Sequence, residues 1–511
     1  MFKILDCTLR DGGYYTNWDF SPEVVDAYIQ AMNNLPIDYL EVGYRNNPSS
    51  EYLGKFGYTP VSVLRKLRET CNKKLVVMLN EKSTLPSDLD HLLKPIHDLA
   101  DMVRIAIDPK NFDRALILAE AVKSMGFEVG FNAMYMSKWK EYENFLTKLG
   151  QINGIANLFC MVDSFGGISP QIVKETLQVV RESTTCPIGF HGHNNLEMGL
   201  INTLTAIECG VDYVDATILG MGRGAGNLKM ELLLTYLNKH QGLEVDFNIL
   251  GDVISSFMGL YENYKWGTNL PYMLSGANSL SQKEVMDWVS NRVYSFNSIV
   301  RALDNKKDKI QDNAKYPLLP MKHYDDVIII GGGANALLHK EGIKEFIKKK
   351  NSIAIIFATA RNAMHYKGLS CDQYYCLVGS EGKRLSKVAD VENFKDVCVL
   401  PPYPRMMGTD VPVLVQNSTY ELGKVNFENP SYQDSCTAIA LQTTLFFEPR
   451  NVYIVGYDGY PGNILSEKEV TLTNENRELF REYERLFEGH IVSLTPSLYK
   501  ELKIESVYQY I

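Results

Sequence analysis

The chain has 511 residues, of which 45% are apolar and 22% are charged, a composition typical of globular domains. A chain of this length is too long to fold around one hydrophobic core, so two or three domains are expected. The formal net charge of −9 at pH 7 argues against nonspecific nucleic-acid binding and against a basic membrane-binding face.

The expected compartment follows from the apolar runs and the cysteines. No apolar run is long enough to span a bilayer, and the first β-rich run begins almost at the N-terminus, which leaves no room for a signal peptide. The nine cysteines are scattered and lack paired metal-ligand spacing, so reduced thiols are expected, and Cys7 falls in an apolar pattern typical of a core. We therefore expect a cytoplasmic protein with no membrane or nucleic-acid partner.

The first half of the chain alternates short β-rich runs with amphipathic helical patterns. The eight predicted strands cover residues 3–8, 39–43, 75–79, 102–107, 128–133, 158–162, 188–191 and 213–218. The predicted helices between them include residues 22–35, 111–125, 170–184, 196–209 and 228–239. Eight such units in about 240 residues match the size of a (β/α)₈ TIM barrel. An open doubly wound sheet is the alternative, and the helix directly after the eighth strand favours the barrel.

Polar side chains fall repeatedly where these predicted strands end. In a TIM barrel the chemistry lies at the C-terminal ends of the strands, so we expect an active site there. The candidates are Arg10 and Asp11 after the first strand, Glu41 on the second, Asp163 and Ser164 after the sixth, His191 and His193 at the seventh, and the loop 220–227 after the eighth.

His191 and His193 are two residues apart on a predicted strand, so their imidazoles point to the same side. Together with the carboxylate of Asp11 they form a three-ligand set for a divalent metal that leaves coordination positions open. A His-x-His pair alone is weak evidence, because two ordinary histidines at a strand end would look the same. The position of Asp11 and of the two histidines at the same end of the predicted barrel favours the metal site.

Four motifs carry a family resemblance: TLRDG at 8–12, DSxG at 163–166, HxHN at 191–194 and GxGxGN at 222–227. In this order and at these strand ends, they resemble the metal-dependent pyruvate aldolase/lyase superfamily of TIM barrels. That superfamily includes 4-hydroxy-2-oxovalerate aldolase, hydroxymethylglutaryl-CoA (HMG-CoA) lyase and isopropylmalate synthase. The resemblance covers roughly residues 1–300, and Asp163-Ser164 with the glycine-rich last loop makes the aldolase the nearest branch. The HMG-CoA lyases carry a cysteine in that loop, and its absence here argues against their activity.

The resemblance implies a role for each candidate. Asp11, His191 and His193 would bind the divalent cation, Mn²⁺ or Mg²⁺ foremost, with Zn²⁺, Co²⁺ and Fe²⁺ also open. Asn227 would be a further ligand or an amide that braces the site. Arg10 would hold the developing enolate oxygen, or else form a salt bridge at the barrel rim. Ser164, beside Asp163, would donate to the substrate carboxylate, or else form a turn.

The sequence departs from the aldolase pattern at one position. In that branch a histidine three positions after the metal-binding aspartate is the proposed base, and here the position is Tyr14. A tyrosine with a pKa near 10 is a poor base unless its surroundings lower the pKa. Tyr14 or Tyr15, Glu41, or a metal-bound water would therefore take the proton, which leaves the natural substrate open.

The predicted domains are a barrel at 1–245, a helical extension and linker at 246–317, and a second domain at 318–511. The extension contains an amphipathic stretch at 282–300 and ends in a charged linker at 305–315. Related aldolases carry a helical extension over the barrel mouth. We therefore interpret this one as a lid or a dimer contact, and a homo-oligomer is expected.

The last third follows a Rossmann-like α/β pattern. A buried strand at 327–330 enters a turn of three glycines, β-rich runs follow at 352–359, 373–378 and 397–400, a helix at 435–447, and another buried strand begins at 451. The glycine turn lacks the full GxGxxG, which argues against dinucleotide binding. A faint resemblance to bacterial sialyltransferases and related surface-polysaccharide proteins implies Asn335 and Asp458 as ligand contacts. A helix N-cap and a strand-end turn would explain both residues equally well.

These features predict a metal-dependent aldolase that acts on a pyruvate-type α-keto acid and a small or sugar-derived aldehyde, in surface-polysaccharide or small-metabolite biosynthesis. One alternative is a Claisen-type acyltransferase that uses acetyl-CoA. Another is a non-catalytic barrel that binds metal and serves as an assembly module. The presence of Arg10, Asp11, His191 and His193 together argues against that last reading.

Overall fold

A computed structural model describes residues 2–50, 52–142, 144–290, 296–309, 314–388, 394–403, 405, 408–429, 432, 435–461 and 467–511. The chain divides into two compact units, Met1–Asn291 and Arg292–Ile511. Among the helices in these ranges, none combines the length and the hydropathy needed to cross a membrane.

The first unit is a closed barrel of eight parallel strands, which confirms the predicted TIM barrel. The strands are β1 (Lys3–Asp6), β2 (Tyr39–Tyr44), β3 (Lys74–Asn80), β4 (Met102–Ile107), β5 (Glu128–Ala133), β6 (Leu158–Asp163), β7 (Ile188–Gly192) and β8 (Tyr213–Ala216). Each strand pairs with the next in sequence, and β1 pairs with β8 to close the barrel, with Leu5 opposite Asp215.

The described helices of the first unit follow the strands and their loops. They are α1 (Thr8–Thr16), α2 (Pro22–Asn34), α3 (Lys55–Tyr58), α4 (Val61–Thr70), α5 (Leu89–Leu92), α6 (Phe112–Ser124), α7 (Phe145–Lys148), α8 (Pro170–Ser183), α9 (Gly199–Glu208), α10 (Met230–Gln241), α11 (Phe247–Tyr264), α12 (Leu270–Ala277) and α13 (Gln282–Ser290). The predicted helices agree with these within a few residues.

Two predicted boundaries are wrong for local reasons. The first strand ends at Asp6 rather than at residue 8, because the Asp6 carboxylate accepts hydrogen bonds from the backbone N–H and the hydroxyl of Thr8, at 2.8 and 2.9 Å, and turns the chain into α1. Helix α9 begins at Gly199 rather than at residue 196. There Asn194 Oδ1 accepts from the Gly199 N–H at 3.1 Å, and Glu197 has φ 57°, so these residues form a turn instead.

Alternation along the strands decides which side chains enter the barrel. Outward residues such as Val103 and Ile105 of β4 join the large core between the strands and the helices. A small apolar cluster is formed by Leu5, Cys7, Tyr39, Val76, Met102, Leu158, Cys160, Val162 and Tyr213. Buried positions on four of the strands are charged or titratable instead: Glu41, Arg104, His191 and Asp215.

The second unit contains a seven-stranded parallel sheet of order β13-β12-β11-β10-β9-β14-β15, which confirms a second α/β domain. Its strands are β9 (Asp326–Ile330), β10 (Ile353–Phe357), β11 (Asp372–Cys376), β12 (Val397–Leu400), β13 (Thr419–Glu421), β14 (Asn451–Val455) and β15 (His490–Ser493). Its described helices are α14 (Phe296–Lys307), α15 (Asn335–Leu338), α16 (Lys340–Lys348), α17 (Glu381–Val388), α18 (Cys436–Phe447) and α19 (Glu467–Leu486).

The predicted extension is divided between the two units. Helices α11 to α13 belong to the first unit and α14 to the second. The stretch predicted as amphipathic, 282–300, covers α13 and the start of α14, and its residues 291–295 lie outside the described ranges. The predicted linker 305–315 begins instead with the last residues of α14, where Lys306 and Lys307 favour the helix C-terminus through its dipole. Residues 310–313 of that linker also lie outside the described ranges.

Candidate active site at the C-terminal end of the barrel

A buried ion-pair network links three strands inside the barrel. Arg104 of β4 is fully buried and donates to Glu41 Oε2 of β2 at 3.2 Å and to Asp215 Oδ2 of β8 at 2.8 Å. A charge in this interior needs such partners, because an unpaired buried charge costs several kcal/mol or more. The network therefore fixes the side chains of three strands at the base of the candidate site.

Asp215 also holds one of the predicted metal ligands. Its Oδ2 lies 2.9 Å from Nδ1 of His191, and because a carboxylate only accepts, Nδ1 carries the hydrogen. Although burial opposes the charge, Arg104 and His191 lower the pKa of Asp215 to about 2. The carboxylate is thus ionised at neutral pH and engages Nδ1 of His191, so that Nε2 faces Asp11 at 3.6 Å from Oδ2.

His193 is oriented in the same way by a backbone group. Its Nδ1 donates to the carbonyl oxygen of Asp163 at 2.8 Å, which leaves Nε2 as an acceptor. Burial and the neighbouring His191 lower the pKa of His193 to about 3, so its imidazole is neutral. The ring centroids of the two histidines are 4.9 Å apart. Both histidines therefore have Nδ1 engaged as a donor and turn Nε2, a nitrogen of the type that binds a divalent metal, to the cluster.

Asp11 and Asn227 complete the cluster from α1 and from the loop after β8. The Asn227 amide donates to Asp11 Oδ2 at 2.8 Å, while its own Oδ1 is buried without a hydrogen-bond partner among the described residues. His193 and Asn227 also form an isolated β-bridge, which places them side by side. Carboxylate, imidazole and amide donors with one orphaned oxygen fit a divalent cation such as Mn²⁺, Mg²⁺ or Zn²⁺.

Cys7 adds a donor that the sequence pattern assigned only to the core. It is buried in the apolar cluster, as expected, yet its thiol lies 3.7 Å from Asp11 Oδ2 and 3.7 Å from the Ala216 carbonyl oxygen. Atoms of Cys7, Asp11 and His191 all lie within 4.8 Å of one another. Two sets of residues could therefore hold a metal, the predicted Asp11, His191 and His193 and this one with Cys7, and both contain Asp11 and His191.

Arg10 lies beside this cluster and is held by two carboxylates. Its Nε donates to Glu41 Oε1 at 2.5 Å, and its Nη1 donates to Asp11. Arg10 is 6% exposed and Glu41 is fully buried, with both oxygens of Glu41 engaged by Arg10 and Arg104. This arrangement orients the guanidinium towards the site and leaves Glu41 little freedom to take a substrate proton.

The two tyrosines proposed as bases differ in their surroundings. Tyr14 is half-buried, and its hydroxyl lies 3.2 Å from that of Tyr44, while the guanidinium of Arg223 lies 5.2 Å from the centre of its ring. Tyr15 donates its hydroxyl to the Gly224 carbonyl at 2.9 Å, and burial raises its pKa far above the usual value. The Tyr15 hydroxyl is therefore bonded to a backbone carbonyl, whereas the Tyr14 hydroxyl contacts another phenol.

Asp163 and Ser164 occupy the loop after β6. The Asp163 carboxylate faces the backbone N–H groups of Gly167 and Ile168, at 3.3 and 3.4 Å, so it braces its own loop, and burial raises its pKa to about 6. Ser164 is 3% exposed, and its oxygen accepts from the Tyr135 N–H at 2.8 Å. The Ser164 hydroxyl hydrogen remains able to donate to a carboxylate.

The two candidates of the last third, Asn335 and Asp458, come together in the second unit. The Asn335 N–H donates to Asp458 Oδ2 at 2.9 Å, across the ends of β9 and β14. This bond is what a helix cap and a strand-end turn would form, so it accounts for both residues without a ligand. Both residues also line a cavity in the second unit.

Arg104 and Asp215 are residues of the candidate site that the sequence analysis missed. Each is a charged residue inside a predicted apolar strand, and a charge there must be paired in the fold. That signal was present in the sequence, but it does not say which strand supplies the partner. Only closure of the barrel brings β4, β2 and β8 together around them.

Comparisons with known proteins cover the barrel half of the chain. Residues 96–253 match the HMGL-like family. The chain is 32% identical to 4-hydroxy-2-oxovalerate aldolase of Carboxydothermus hydrogenoformans over 243 residues, 46% of this chain and 70% of the relative. It is 27% identical to oxaloacetate decarboxylase of Mycobacterium tuberculosis over 265 residues, 50% of this chain and 76% of that enzyme.

A solved structure covers the same part of the chain. It is the crystal structure of the N-terminal domain of a Bacteroides vulgatus protein provisionally described as an aldolase, 70% identical, with a TM-score of 0.57. It covers 59% of this chain, and this chain covers all of it. With the closed barrel and the four motifs, these matches show that the chain belongs to the HMGL-like family of metal-dependent TIM-barrel lyases, together with the 4-hydroxy-2-oxovalerate aldolases.

Proposed function

We propose that the barrel is a divalent-metal-dependent aldolase that makes or breaks a carbon–carbon bond next to the keto group of a pyruvate-type α-keto acid. The observation that carries this proposal is the convergence of Asp11, His191 and His193 beside Arg10, with both histidines turned to offer Nε2. The substrates would be the α-keto acid and a small aldehyde.

The metal would be held by Asp11, His191 and His193, with Asn227 Oδ1 as a further oxygen donor. When bound, a divalent cation supplies Lewis-acid polarisation of the keto group. We propose Mn²⁺ or Mg²⁺ on the basis of the carboxylate and amide oxygens, although the two imidazoles also suit Zn²⁺ and Co²⁺.

The chain's own residues would position the substrate and stabilise charge. Arg10 donates to the enolate oxygen as charge develops there, and Glu41 keeps the guanidinium in place as a preorganised donor. Ser164 donates to the substrate carboxylate. Tyr14, with its hydroxyl near Tyr44, carries the proton that leaves or reaches the aldehyde oxygen.

The test is product formation from defined substrates. Purified, metal-loaded protein is incubated with 4-hydroxy-2-oxo acids, and release of pyruvate and of the aldehyde is followed by ¹H NMR. Exchange of pyruvate methyl protons in D₂O is measured in parallel, because it reports enolate formation without any aldehyde. Absence of both exchange and cleavage with every metal named above would contradict the proposal.

Decarboxylation of a β-keto acid such as oxaloacetate is a second candidate. Cleavage of an aldol requires a group that takes the proton of the substrate hydroxyl, whereas loss of CO₂ from a β-keto acid yields the same enolate without that step. The tyrosine at position 14, in place of the histidine expected in the aldolase branch, favours this reaction, as does the likeness to an oxaloacetate decarboxylase. CO₂ release from oxaloacetate faster than any aldol cleavage would select it.

Replacing Asp215 by asparagine should weaken metal binding by about ten- to a hundredfold, because Asp215 fixes the His191 tautomer. Asp212→Asn is the matched control, since Asp212 is exposed before the start of β8 and its carboxylate accepts from the Ile188 N–H, away from the candidate site. Metal affinity is measured by calorimetry, and the melting temperature of the metal-free variant separates positioning from a fold defect. Wild-type affinity in Asp215→Asn would remove this role.

A protein of residues 1–304 should fold alone and keep the metal chemistry, because every proposed catalytic residue precedes residue 304. The crystal structure of an isolated, 70% identical N-terminal domain supports independent folding of this part. Exchange of pyruvate methyl protons should persist in residues 1–304 and be absent from residues 318–511. If the shorter protein holds metal but is inert, the second unit must complete the site.

A further inference from the structure

A cavity of about 790 Å³ lies in the second unit at the carboxyl ends of its strands. It opens where the strand order reverses, with β9 flanked by β10 on one side and by β14 on the other. In open parallel sheets this is the point at which ligands bind. The volume is in the range of small-molecule sites, and inorganic phosphate alone would leave most of it unfilled.

Glycines bring the two loops that border the cavity into backbone contact. A Cβ on Gly333 would lie 2.6 Å from the Gly456 carbonyl oxygen, and one on Gly331 would lie 2.5 Å from it. The Gly333 N–H donates to the same oxygen at 2.8 Å, and Gly456 has φ 71°. This approach places Asp458, two residues after Gly456, over the glycine turn of β9.

Asp458 offers one unused acceptor on this side of the cavity. Its Oδ2 accepts from the Asn335 N–H, while Oδ1 is buried with no hydrogen-bond partner among the described residues. A buried carboxylate oxygen without a donor is costly, and a ligand hydroxyl would relieve that cost. Asp458 therefore points to a ligand with hydroxyl groups, such as a ribose.

Two arginines also line the cavity. Arg384 is paired with Glu381 and also donates to the Thr359 hydroxyl at 2.9 Å. Arg361 is exposed, its contact with the Gly332 carbonyl is long at 3.4 Å, and no ion pair joins it to a described carboxylate. Its guanidinium therefore keeps donors for an anionic group, and a phosphate matches its fork geometry.

Aromatic rings form part of the remaining wall. Tyr457 and Tyr499 are buried, and their hydroxyls form hydrogen bonds with Thr437 and Asn476 respectively. Tyr460 is half-buried at the cavity, and the positive charge of Arg361 acts on its hydroxyl. A flat heteroaromatic group would pack against such rings.

We propose that this cavity binds a nucleoside phosphate, with the ribose hydroxyls on Asp458, the phosphate on Arg361 and the base against the tyrosines. The juxtaposition of an unpartnered carboxylate oxygen and an exposed guanidinium across a glycine turn carries the proposal. The site lies within the second unit and does not depend on the function proposed for the barrel.

The test uses the full-length protein and calorimetric titration with each of AMP, CMP, GMP and UMP and their diphosphates. Ribose 5-phosphate and inorganic phosphate are titrated as smaller probes. At least one nucleotide should bind with a Kd below about 1 mM, and ribose 5-phosphate should bind at least about tenfold more weakly. Asp458→Asn and Arg361→Gln should each weaken the nucleotide by about ten- to a hundredfold, as expected for a lost charge-assisted hydrogen bond.

Two matched controls lie on exposed positions before the starts of β9 and β14. Asp325→Asn and Arg450→Gln change the same residue types there and should leave nucleotide affinity unchanged. Asp458→Asn keeps an oxygen for the Asn335 N–H, and Arg361 is exposed, so both variants should fold, which their melting curves check. No binding of any nucleotide, equal binding of ribose 5-phosphate or phosphate, or unchanged affinity in both site variants would overturn the proposal.

Discussion

Replacing His191 or His193 by alanine should abolish metal retention with little loss of fold. Each imidazole offers Nε2 to the same cluster because its Nδ1 is bonded elsewhere, to Asp215 or to the Asp163 carbonyl. Removing one of three ligands from a divalent site leaves too few donors to hold the ion through purification. Metal content after gel filtration, measured by mass spectrometry, gives the result directly.

A histidine outside the barrel interior provides the control. His97 is about half exposed and pairs only with the adjacent Asp98 among the described residues, so His97→Ala should keep the wild-type metal content. Because alanine at position 191 leaves Asp215 without one partner, His191→Gln is a second variant of closer volume. Stoichiometric metal in the His191→Ala, His193→Ala double variant would show that the site lies elsewhere.

Replacing Arg10 by lysine should reduce pyruvate methyl exchange by about a hundred- to a thousandfold, while metal content stays at the wild-type level. The planar guanidinium bonds Glu41 and Asp11 at once and still faces the site, whereas an ammonium cannot reproduce that fork. Losing one preorganised donor to a developing oxyanion costs about 2.7–4 kcal/mol in other enzymes, which corresponds to this range of rates. Deuterium exchange followed by ¹H NMR is the measurement.

Arg65→Lys is the matched control, because Arg65 is exposed on α4 and contacts none of the site residues named above. Exchange in that variant should equal the wild-type rate. If Arg10→Lys exchanges at the wild-type rate with metal bound, Arg10 is a rim salt bridge and has no part in the chemistry. If metal is lost as well, Arg10 acts through Asp11 instead.

The two experiments separate ligand binding from charge stabilisation. Loss of exchange together with metal identifies a ligand, as expected for His191 and His193. Loss of exchange with metal retained identifies a residue that acts on the substrate, as expected for Arg10. Asp215→Asn should fall between these cases, with metal affinity reduced and exchange restored at high metal concentration.

Much of the barrel could be predicted because its signals are local. Strand and helix periodicity depend on neighbours a few residues apart, so the strands were located to within two residues at most ends. The same local signals placed Asp11, His191 and His193 at strand ends, and the fold puts such ends on one face of a barrel. The boundaries at Asp6 and Gly199 were wrong because side-chain bonds from Asp6 and Asn194 override periodicity.

The sequence by itself determined the barrel, the second α/β domain, and the end of the barrel where the histidines and Asp11 meet. Only the tertiary structure decided how those groups are held: that Asp215 accepts from Nδ1 of His191, and that Glu41 accepts from the guanidinium of Arg10. It also decided that Asp458 keeps an unpaired oxygen in the second unit. The reason is physical. Periodicity reports which face of an element is buried, whereas hydrogen bonds between distant strands exist only after the sheets have formed and set their registers.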